Sequence, residues 1–247
     1  MNSILPFLMA GDPSLDALPG LLAEAKALGI EALELGLPHS DPIADGPVLQ
    51  ASAQRAIQHG ATPGAVLDAL RGLLESPDLI LFTYLNPLLQ IGAAELIRRL
   101  RDTPVKALLV VDLPDSEELG FEAELRAAGY PMIPLLAPTT SLQRAKTLLA
   151  ARPDPGPGAP FAQRFAYVVA RLGVTGSSLG ADLAPVADRV RALGRLTSRP
   201  LAVGFGLSDP PVLAAVRALG ATPVVGSALA KALREGQTLT AFLQPRL

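Results

Sequence analysis

Eight short apolar runs are spaced along the chain, and each has the length of a single β-strand. They cover residues 4–9, 32–35, 79–84, 107–111, 132–136, 165–170, 201–203 and 223–225. Most are followed by a segment whose apolar residues recur at helical spacing, at residues 15–28, 48–57, 62–74, 94–100, 211–219 and 227–233. An acidic helix is also expected from Ser116, and Thr62 is suited to cap the helix that Pro63 begins.

This regular alternation of strand and helix predicts a parallel sheet, and about eight units predict that the sheet closes into a (β/α)8 barrel of the TIM type. A chain of 247 residues fits one such barrel, so we expect a single domain over residues 1–247. An open doubly wound sheet is the alternative, but no strand is followed by the G-x-G-x-x-G turn of dinucleotide-binding folds. Residues 153–160 are rich in Pro and Gly, which predicts a surface insertion ahead of the sixth strand.

The second apolar run contains a glutamate and is followed by a rigid loop. Glu34 lies between Leu33 and Leu35, so it projects from the opposite face of the strand to its apolar neighbours. A solvated edge strand would also explain such a glutamate. However, the loop that follows is rich in Pro and ends in the turn Asp45-Gly46-Pro47, and residues that fix the backbone in this way are typical of a functional loop.

Composition narrows the classes of function. The formal charge is −2 and the pI is near 5.7, so the chain lacks the excess of basic residues that is typical of nucleic-acid-binding proteins. The mean hydropathy of +0.36 is high, yet charges, Gly and Pro break every apolar run well short of the roughly 18 residues that a membrane span needs. There is no cysteine and no signal-peptide pattern in residues 1–9, so a cytoplasmic location is expected.

Turns rich in glycine follow the sixth, seventh and eighth strands. They are Gly173 to Gly176, the Gly204-Phe205-Gly206 run with Ser208 beyond it, and Gly226-Ser227 at the start of a helix. Each glycine alone could simply form a turn. Together, at successive strand ends, they predict a phosphate cradle, because glycine lets main-chain N–H groups approach an anion and a helix N-terminus favours negative charge.

Several kinds of catalytic site lack their residues in this chain. A Schiff-base aldolase needs a lysine that points into the barrel mouth, but Lys26, Lys146 and Lys231 fall in helical segments and Lys106 is expected just ahead of its strand. A zinc aldolase needs several ligands, and His39 and His59 are the only histidines. A cysteine nucleophile is impossible. Carboxylate acid/base chemistry remains.

The run LELGLPHSDPIADGP at residues 33–47 resembles the signature of the tryptophan synthase alpha chain family, and the resemblance extends over nearly the whole chain. It implies that Glu34 is the catalytic acid/base and that Asp45 is its partner. Two departures stand out: His39 replaces the usual loop phenylalanine, and the helix that usually precedes the first strand is absent. Another segment is therefore expected to cover the floor of the barrel.

The resemblance also implies the other site residues. The substrate phosphate would bind Gly176, Gly206, Gly226 and Ser227. An apolar slot for the indole ring would be lined by Phe7, Tyr84, Leu109 and Phe205, with Tyr167 touching the substrate and Thr175, in a mobile loop over residues 171–184, approaching Asp45. For Phe7 and Leu109, plain core packing is an equal alternative. Asp112, at the end of the fourth strand, could equally hold a neighbouring loop or meet the substrate.

The implied activity is cleavage of indole-3-glycerol phosphate to indole and D-glyceraldehyde 3-phosphate. No cofactor is expected in this chain; pyridoxal phosphate would belong to a beta subunit that receives the indole in an alpha-beta-beta-alpha tetramer. Docking is expected on loop residues Pro38, Asp41 and Pro42 and on a turn at Asn86-Pro87. The alternatives are another phosphate-binding barrel enzyme of amino-acid biosynthesis, or a non-catalytic paralogue. The pairing of Glu34 with Asp45 argues against both.

Overall fold

The computed structural model describes residues 4–113, 120–170, 183–204 and 206–247, and in them eight parallel strands lie in the order β4-β3-β2-β1-β8-β7-β6-β5. The strands are β1 (Leu5–Met9), β2 (Ala32–Gly36), β3 (Asp78–Thr83), β4 (Val105–Val110), β5 (Leu135–Leu136), β6 (Ala166–Val169), β7 (Leu201–Gly204) and β8 (Ala221–Val225).

The seam between β4 and β5 is closed just ahead of β5. Leu108 forms a parallel bridge with Met132. The Leu108 N–H donates to the Pro131 carbonyl at 3.0 Å, and the Ile133 N–H donates back to the Leu108 carbonyl at 2.8 Å. The predicted strand at residues 132–136 is therefore present as one bridge and a two-residue strand. The sheet closes on itself, and the expected (β/α)8 barrel is confirmed.

The described helices are α1 (Leu18–Ala27), α2 (Pro47–Gln58), α3 (Pro63–Ala69), α4 (Leu85–Ile91), α5 (Ala93–Leu100), α6 (Phe121–Ala127), α7 (Leu142–Ala151), α8 (Phe161–Arg164), α9 (Ala184–Gly194), α10 (Pro210–Ala218), α11 (Ser227–Arg234) and α12 (Leu239–Leu243), with a 3-10 helix at Gln244–Arg246. Among the described residues, no helix is both long and apolar enough to cross a membrane.

One helix prediction and one turn prediction were wrong. The helix expected over residues 62–74 ends at Ala69, because the chain turns and Gly72 takes a φ of 78°. The expected turn at Asn86-Pro87 is instead the first turn of α4. Proline is tolerated there because N–H groups in the first turn have no partner within the helix. The predicted start at Ser116 lies outside the described residues, and α6 begins at Phe121.

Apolar side chains fill both faces of the sheet. Every residue of β1, β2 and β8 is buried, as expected for parallel strands that are covered on both faces. One set of side chains packs inside the barrel and the other against the helices. A glutamate in the middle of such a strand, as in β2, is therefore surrounded by protein and not by solvent.

The floor of the barrel, at the amino ends of the strands, is covered by α8. This short helix packs against β2, β3 and β4 although it leads into β6. The Phe161 and Phe165 rings stack 5.2 Å apart, and Phe165 is fully buried. Gln163 ties the helix down by donating to the Lys106 carbonyl at 2.9 Å. Lys106 itself lies within β4, not ahead of it.

A buried arginine holds the chain around this floor. Arg199 is 6% exposed and donates to the main-chain carbonyls of Arg152, Gln163 and Arg164. Arg152 in turn forms a two-armed ion pair with Glu122 at 2.7 Å. The Pro- and Gly-rich residues 153–160 contain no helix or strand, and they connect this cluster to α8.

Candidate active site

Strand β2 carries Glu34 into the barrel interior. Its Cα is the register partner of Phe7 on β1 and of Ile80 on β3, and the residue is only 1% exposed. Within the described part of the chain, its Oε1 atom has no hydrogen-bond partner. Burial raises the pKa of Glu34 well above its ordinary value. The neutral carboxylic acid is thus favoured, which is the form that can donate a proton.

The loop after β2 presents a second buried carboxyl group. The loop is braced by its own turn, in which the Asp45 N–H donates to the Pro42 carbonyl at 3.0 Å, and by Gln50, whose side chain donates to the Asp45 carbonyl at 2.8 Å. Asp45 is 4% exposed, and its Oδ1 is without a partner among the residues that the structure describes. Its Oδ2 accepts a hydrogen bond from the Tyr84 hydroxyl at 3.2 Å.

The surroundings of the two carboxyl groups act differently on their pKa values. Burial raises the pKa of Asp45 to about 6, and the hydrogen bond from Tyr84 opposes that rise. At pH 7 the ionised form therefore exceeds the neutral form by about tenfold. For Glu34, burial is the cause of the shift. The site thus combines one carboxyl group biased toward the acid with one that is mainly a carboxylate.

Aromatic rings form the apolar side of the site. Phe7 and Phe82 meet edge to face, with ring centroids 5.3 Å apart. Leu109 is fully buried and is the register partner of Phe82. A Cβ atom at Gly36 would lie 2.5 Å from Phe7 Cζ, so only glycine leaves room for this ring. Phe82 was not predicted, although its place two residues before Tyr84 puts it on the same face of β3.

Tyr167 on β6 completes the interior. It is 3% exposed, and a Cβ atom at Gly204 would overlap its hydroxyl group. Burial raises the pKa of Tyr167 well above its ordinary value, and the electrostatic influence of the Glu34 and Asp45 carboxyl groups raises it further. This electrostatic influence indicates that Tyr167 shares a region with both carboxyl groups, and its phenol stays neutral.

Part of the predicted phosphate site lies at the ends of two paired strands. Gly206 follows β7 with a φ of 84°, a conformation that favours glycine. Gly226 follows β8 as the N-cap of α11, and Ser227 is the first residue of that helix. Because β7 pairs with β8, these positions leave the same end of the barrel. Gly176, Thr175 and Phe205 lie outside the described residues.

Two further candidates have other roles. Asp112 accepts a hydrogen bond from the Leu85 N–H at 2.7 Å, so it holds the start of α4. His59 is exposed, and its ring nitrogen lies 2.7 Å from the Pro13 carbonyl. Within residues 4–113, 120–170, 183–204 and 206–247, no three His, Cys, Asp or Glu side chains are grouped to hold a metal ion.

The predicted docking face is partly exposed. Asp41 and Asn86 reach solvent, whereas Pro38 and the predicted Pro87 are buried. The loop carries a large exposed apolar side chain that was not predicted, Ile43, which is 78% exposed.

Comparison with known proteins agrees with this geometry. The family model described as "Tryptophan synthase alpha chain" matches residues 1–243. Among curated relatives, the tryptophan synthase alpha chain of Gloeobacter violaceus is 40% identical over 94% of this chain and 81% of its own length. That of Streptococcus pneumoniae is 34% identical over 97% of this chain and 90% of its own.

Solved structures show the same likeness. The tryptophan synthase a2b2 complex from Pyrococcus furiosus contains a chain that superposes with a TM-score of 0.83 at 29% identity, covering 99% of this chain and 96% of that one. A tryptophan synthase chain from Mycobacterium tuberculosis gives a TM-score of 0.84 at 25% identity, covering 98% and 90%. The chain belongs to the tryptophan synthase alpha chain family.

Proposed function

We propose that this chain is the lyase component that cleaves indole-3-glycerol phosphate to indole and D-glyceraldehyde 3-phosphate in tryptophan biosynthesis. Membership of the family supports the reaction class. The observation that carries the assignment is the pair Glu34 and Asp45, one on β2 and one on the loop that follows it, both buried and both with a raised pKa, with a hydrogen-bond donor beside Asp45 that opposes the rise. Active sites of such barrels lie at this end.

Glu34 acts as the acid and then as the base of a retro-aldol step. As a neutral acid it donates its proton to the ring carbon that carries the glycerol chain, which leaves a positive charge on the indole nitrogen. The resulting carboxylate then accepts the proton of the adjacent hydroxyl group. The carbon–carbon bond breaks, its electron pair returns to the ring, and the new carbonyl leaves as the aldehyde. One carboxyl group gives and regains one proton, so no other proton source is needed.

Asp45 stabilises the charge that this protonation creates. Its ionised carboxylate accepts a hydrogen bond from the indole N–H, and in a buried site that interaction is stronger than it would be in water. A pKa of about 6 keeps Asp45 largely ionised at pH 7. The different environments of the two carboxyl groups thus supply the acid and the anion at the same pH.

The rest of the site binds the two ends of the substrate. We assign the indole ring to the apolar slot formed by Phe7, Leu109 and Phe205, with Tyr84 and Tyr167 beside the carboxyl groups and Thr175 on the loop beyond. We assign the phosphate to Gly176, Gly206, Gly226 and Ser227. Support comes from the positive φ of Gly206 and from the helix that begins at Ser227.

We further propose that a beta subunit docks on the mouth of this barrel and takes up the indole. The P. furiosus relative was solved as an a2b2 complex. In this chain, exposed Ile43 and Asp41 on the loop that carries Asp45, with Asn86 on α4, would form part of the interface. Pyridoxal phosphate would belong to the partner, and this chain would need no cofactor. A cytoplasmic location fits a biosynthetic enzyme.

One experiment tests the assignment. The purified chain is mixed with indole-3-glycerol phosphate, with and without a family beta subunit, and indole is measured. We expect slow release by the chain alone, and faster turnover with the partner by about tenfold or more, because docking orders the loops over the substrate. Glu34→Gln should lower turnover by about 10²–10⁴-fold, the usual worth of acid/base catalysis.

Glu31→Gln is the matched control, because Glu31 is exposed just ahead of the same strand. It should retain full turnover. If the wild-type chain released no indole even at saturating partner, the non-catalytic alternative would hold instead.

A further inference from the structure

Tyr84 and the residue after it are held by contacts from two loops, the one after β2 and the one after β4. Its hydroxyl oxygen accepts a hydrogen bond from the Ala44 N–H at 2.9 Å, across 40 residues of sequence. Its ring lies 5.0 Å from the ring of His39, tilted by 33°. The next residue, Leu85, donates its N–H to Asp112 on the loop after β4. Ring, hydroxyl and main chain are thus each held by a different neighbour.

These contacts determine where the phenol proton points. Because the Ala44 N–H already occupies the oxygen as an acceptor, the hydroxyl acts as a donor in another direction. The acceptor in that direction is Asp45 Oδ2, at 3.2 Å. The Asp45 carboxylate is therefore engaged through one oxygen only. Its other oxygen, Oδ1, is buried without a partner among the described residues.

We propose that Tyr84 is a positioning group for Asp45. The Tyr84 ring packs against His39, and the Tyr84 hydroxyl fixes the Asp45 carboxylate so that Oδ1 is the oxygen presented to the indole N–H. This inference rests on the proposed function, and it gives Tyr84 a role beyond lining the apolar slot. A buried carboxylate that could rotate would share its acceptor sites between several orientations. Holding one oxygen places the other before substrate arrives, which is what preorganisation requires.

The same hydrogen bond affects the charge of Asp45. It stabilises the carboxylate and so lowers the pKa of Asp45 against the effect of burial. The other ionisable groups around this region are Glu34 and Tyr167 inside the barrel, and His39 and Asp112 beside Tyr84. Removing the hydroxyl leaves all of these in place. The pKa of Asp45 should then rise.

The test is Tyr84→Phe, which keeps the ring on His39 and removes only the donor. The Asp45 carboxyl is titrated by ¹³C NMR in the protein without substrate, with Asp45→Asn used to assign the signal. A wild-type midpoint near 6 is expected. In Tyr84→Phe the midpoint should rise by about one pH unit or more, as expected for loss of a hydrogen bond to a charged group.

Turnover should follow the titration. With the midpoint one unit higher, the ionised fraction at pH 6 falls from about one half to about one tenth, so kcat/KM should drop about fivefold there and nearly converge with wild type by pH 8. Tyr130→Phe is the matched control, because Tyr130 lies near the floor of the barrel, just ahead of the bridge at Met132. This substitution should change neither the Asp45 midpoint nor the pH dependence of kcat/KM. His39→Ala, which removes the seat of the ring, should shift the Asp45 midpoint upward by a smaller amount.

An unchanged or lowered midpoint in Tyr84→Phe would overturn the inference. So would a loss of kcat/KM that is equal at every pH, since a purely structural role predicts that pattern. If the wild-type chain has no lyase activity, the proposed function fails, and the NMR titration still decides whether Tyr84 controls Asp45.

Discussion

Replacing Asp45 with asparagine should stabilise the folded chain at neutral pH while impairing its activity. Asp45 is 4% exposed, and burial raises its pKa from the ordinary 3.8 to about 6. Between these two pH values the folded chain binds more protons at this position than the unfolded chain does. The free energy of unfolding therefore falls as pH rises through this window. Asparagine does not titrate, so the variant does not lose this stability as the pH rises.

The expected gain follows from the size of the pKa change. A rise from 3.8 to about 6, at about 1.4 kcal/mol per pKa unit, gives about 3 kcal/mol above pH 6. Asparagine has nearly the same shape and keeps an oxygen that can accept the Tyr84 hydroxyl bond, so little packing is lost. Below about pH 4 the aspartate is neutral in both states, and the two proteins should be equally stable.

The assay is a series of urea titrations at pH values between about 4.5 and 7.5, comparing wild type with Asp45→Asn. The stability difference should grow with pH and level off above about pH 6.5. Asp188→Asn is the control, because the Asp188 side chain is 78% exposed and forms a surface ion pair. The difference in stability between this variant and wild type should be small and independent of pH. A difference for Asp45→Asn that does not depend on pH, or a less stable variant at pH 7.5, would refute the reasoning.

Two further changes probe the floor and the mouth of the barrel. Arg199→Met should lower the free energy of unfolding by about 3 kcal/mol, because it leaves three main-chain carbonyls without their donor; urea titration would measure this, and a cost below about 1 kcal/mol would contradict it. Gly206→Val should weaken glycerol phosphate binding about tenfold or more, since valine is strained at a φ of 84°. Gly220→Val, at a φ of 77° ahead of β8, is the calorimetric control that carries similar strain away from the site.

The barrel and the central carboxyl group could be predicted from the sequence because both depend on local pattern. Apolar runs of strand length, separated by helical spacing, determine the number and order of the units. Glu34 stands out because a charged residue interrupts such a run. The sequence also placed Gly206, Gly226 and Ser227 after β7 and β8, where the structure has them.

Features that depend on distant contacts could not be predicted. The hydrogen bond between Tyr84 and Asp45 joins residues 39 positions apart, and no local spacing encodes it. The covering of the floor by α8 is similar, because a four-residue helix ahead of β6 reaches across to β2, β3 and β4. Helix α4 was missed for another reason. Asn86-Pro87 has the composition of a turn, and the hydrogen bond from the Leu85 N–H that stabilises the start of the helix goes to Asp112, on the loop after β4.

Two glutamates are buried among the described residues, and their surroundings are opposite. Glu122, near the floor, forms a two-armed ion pair with Arg152 at 2.7 Å. Glu34, at the mouth, is as deeply buried but has no cation beside it among the described residues, and its pKa rises through burial alone. An ion pair would have held Glu34 as a carboxylate and prevented it from donating a proton. Burial without a cation costs stability when the group is ionised, and this is the reason that the pKa of Glu34 is raised. The paired carboxylate of Glu122 thus supports the architecture near the floor, and the unpaired carboxyl group of Glu34 is the one to which the proposed function assigns the proton transfer.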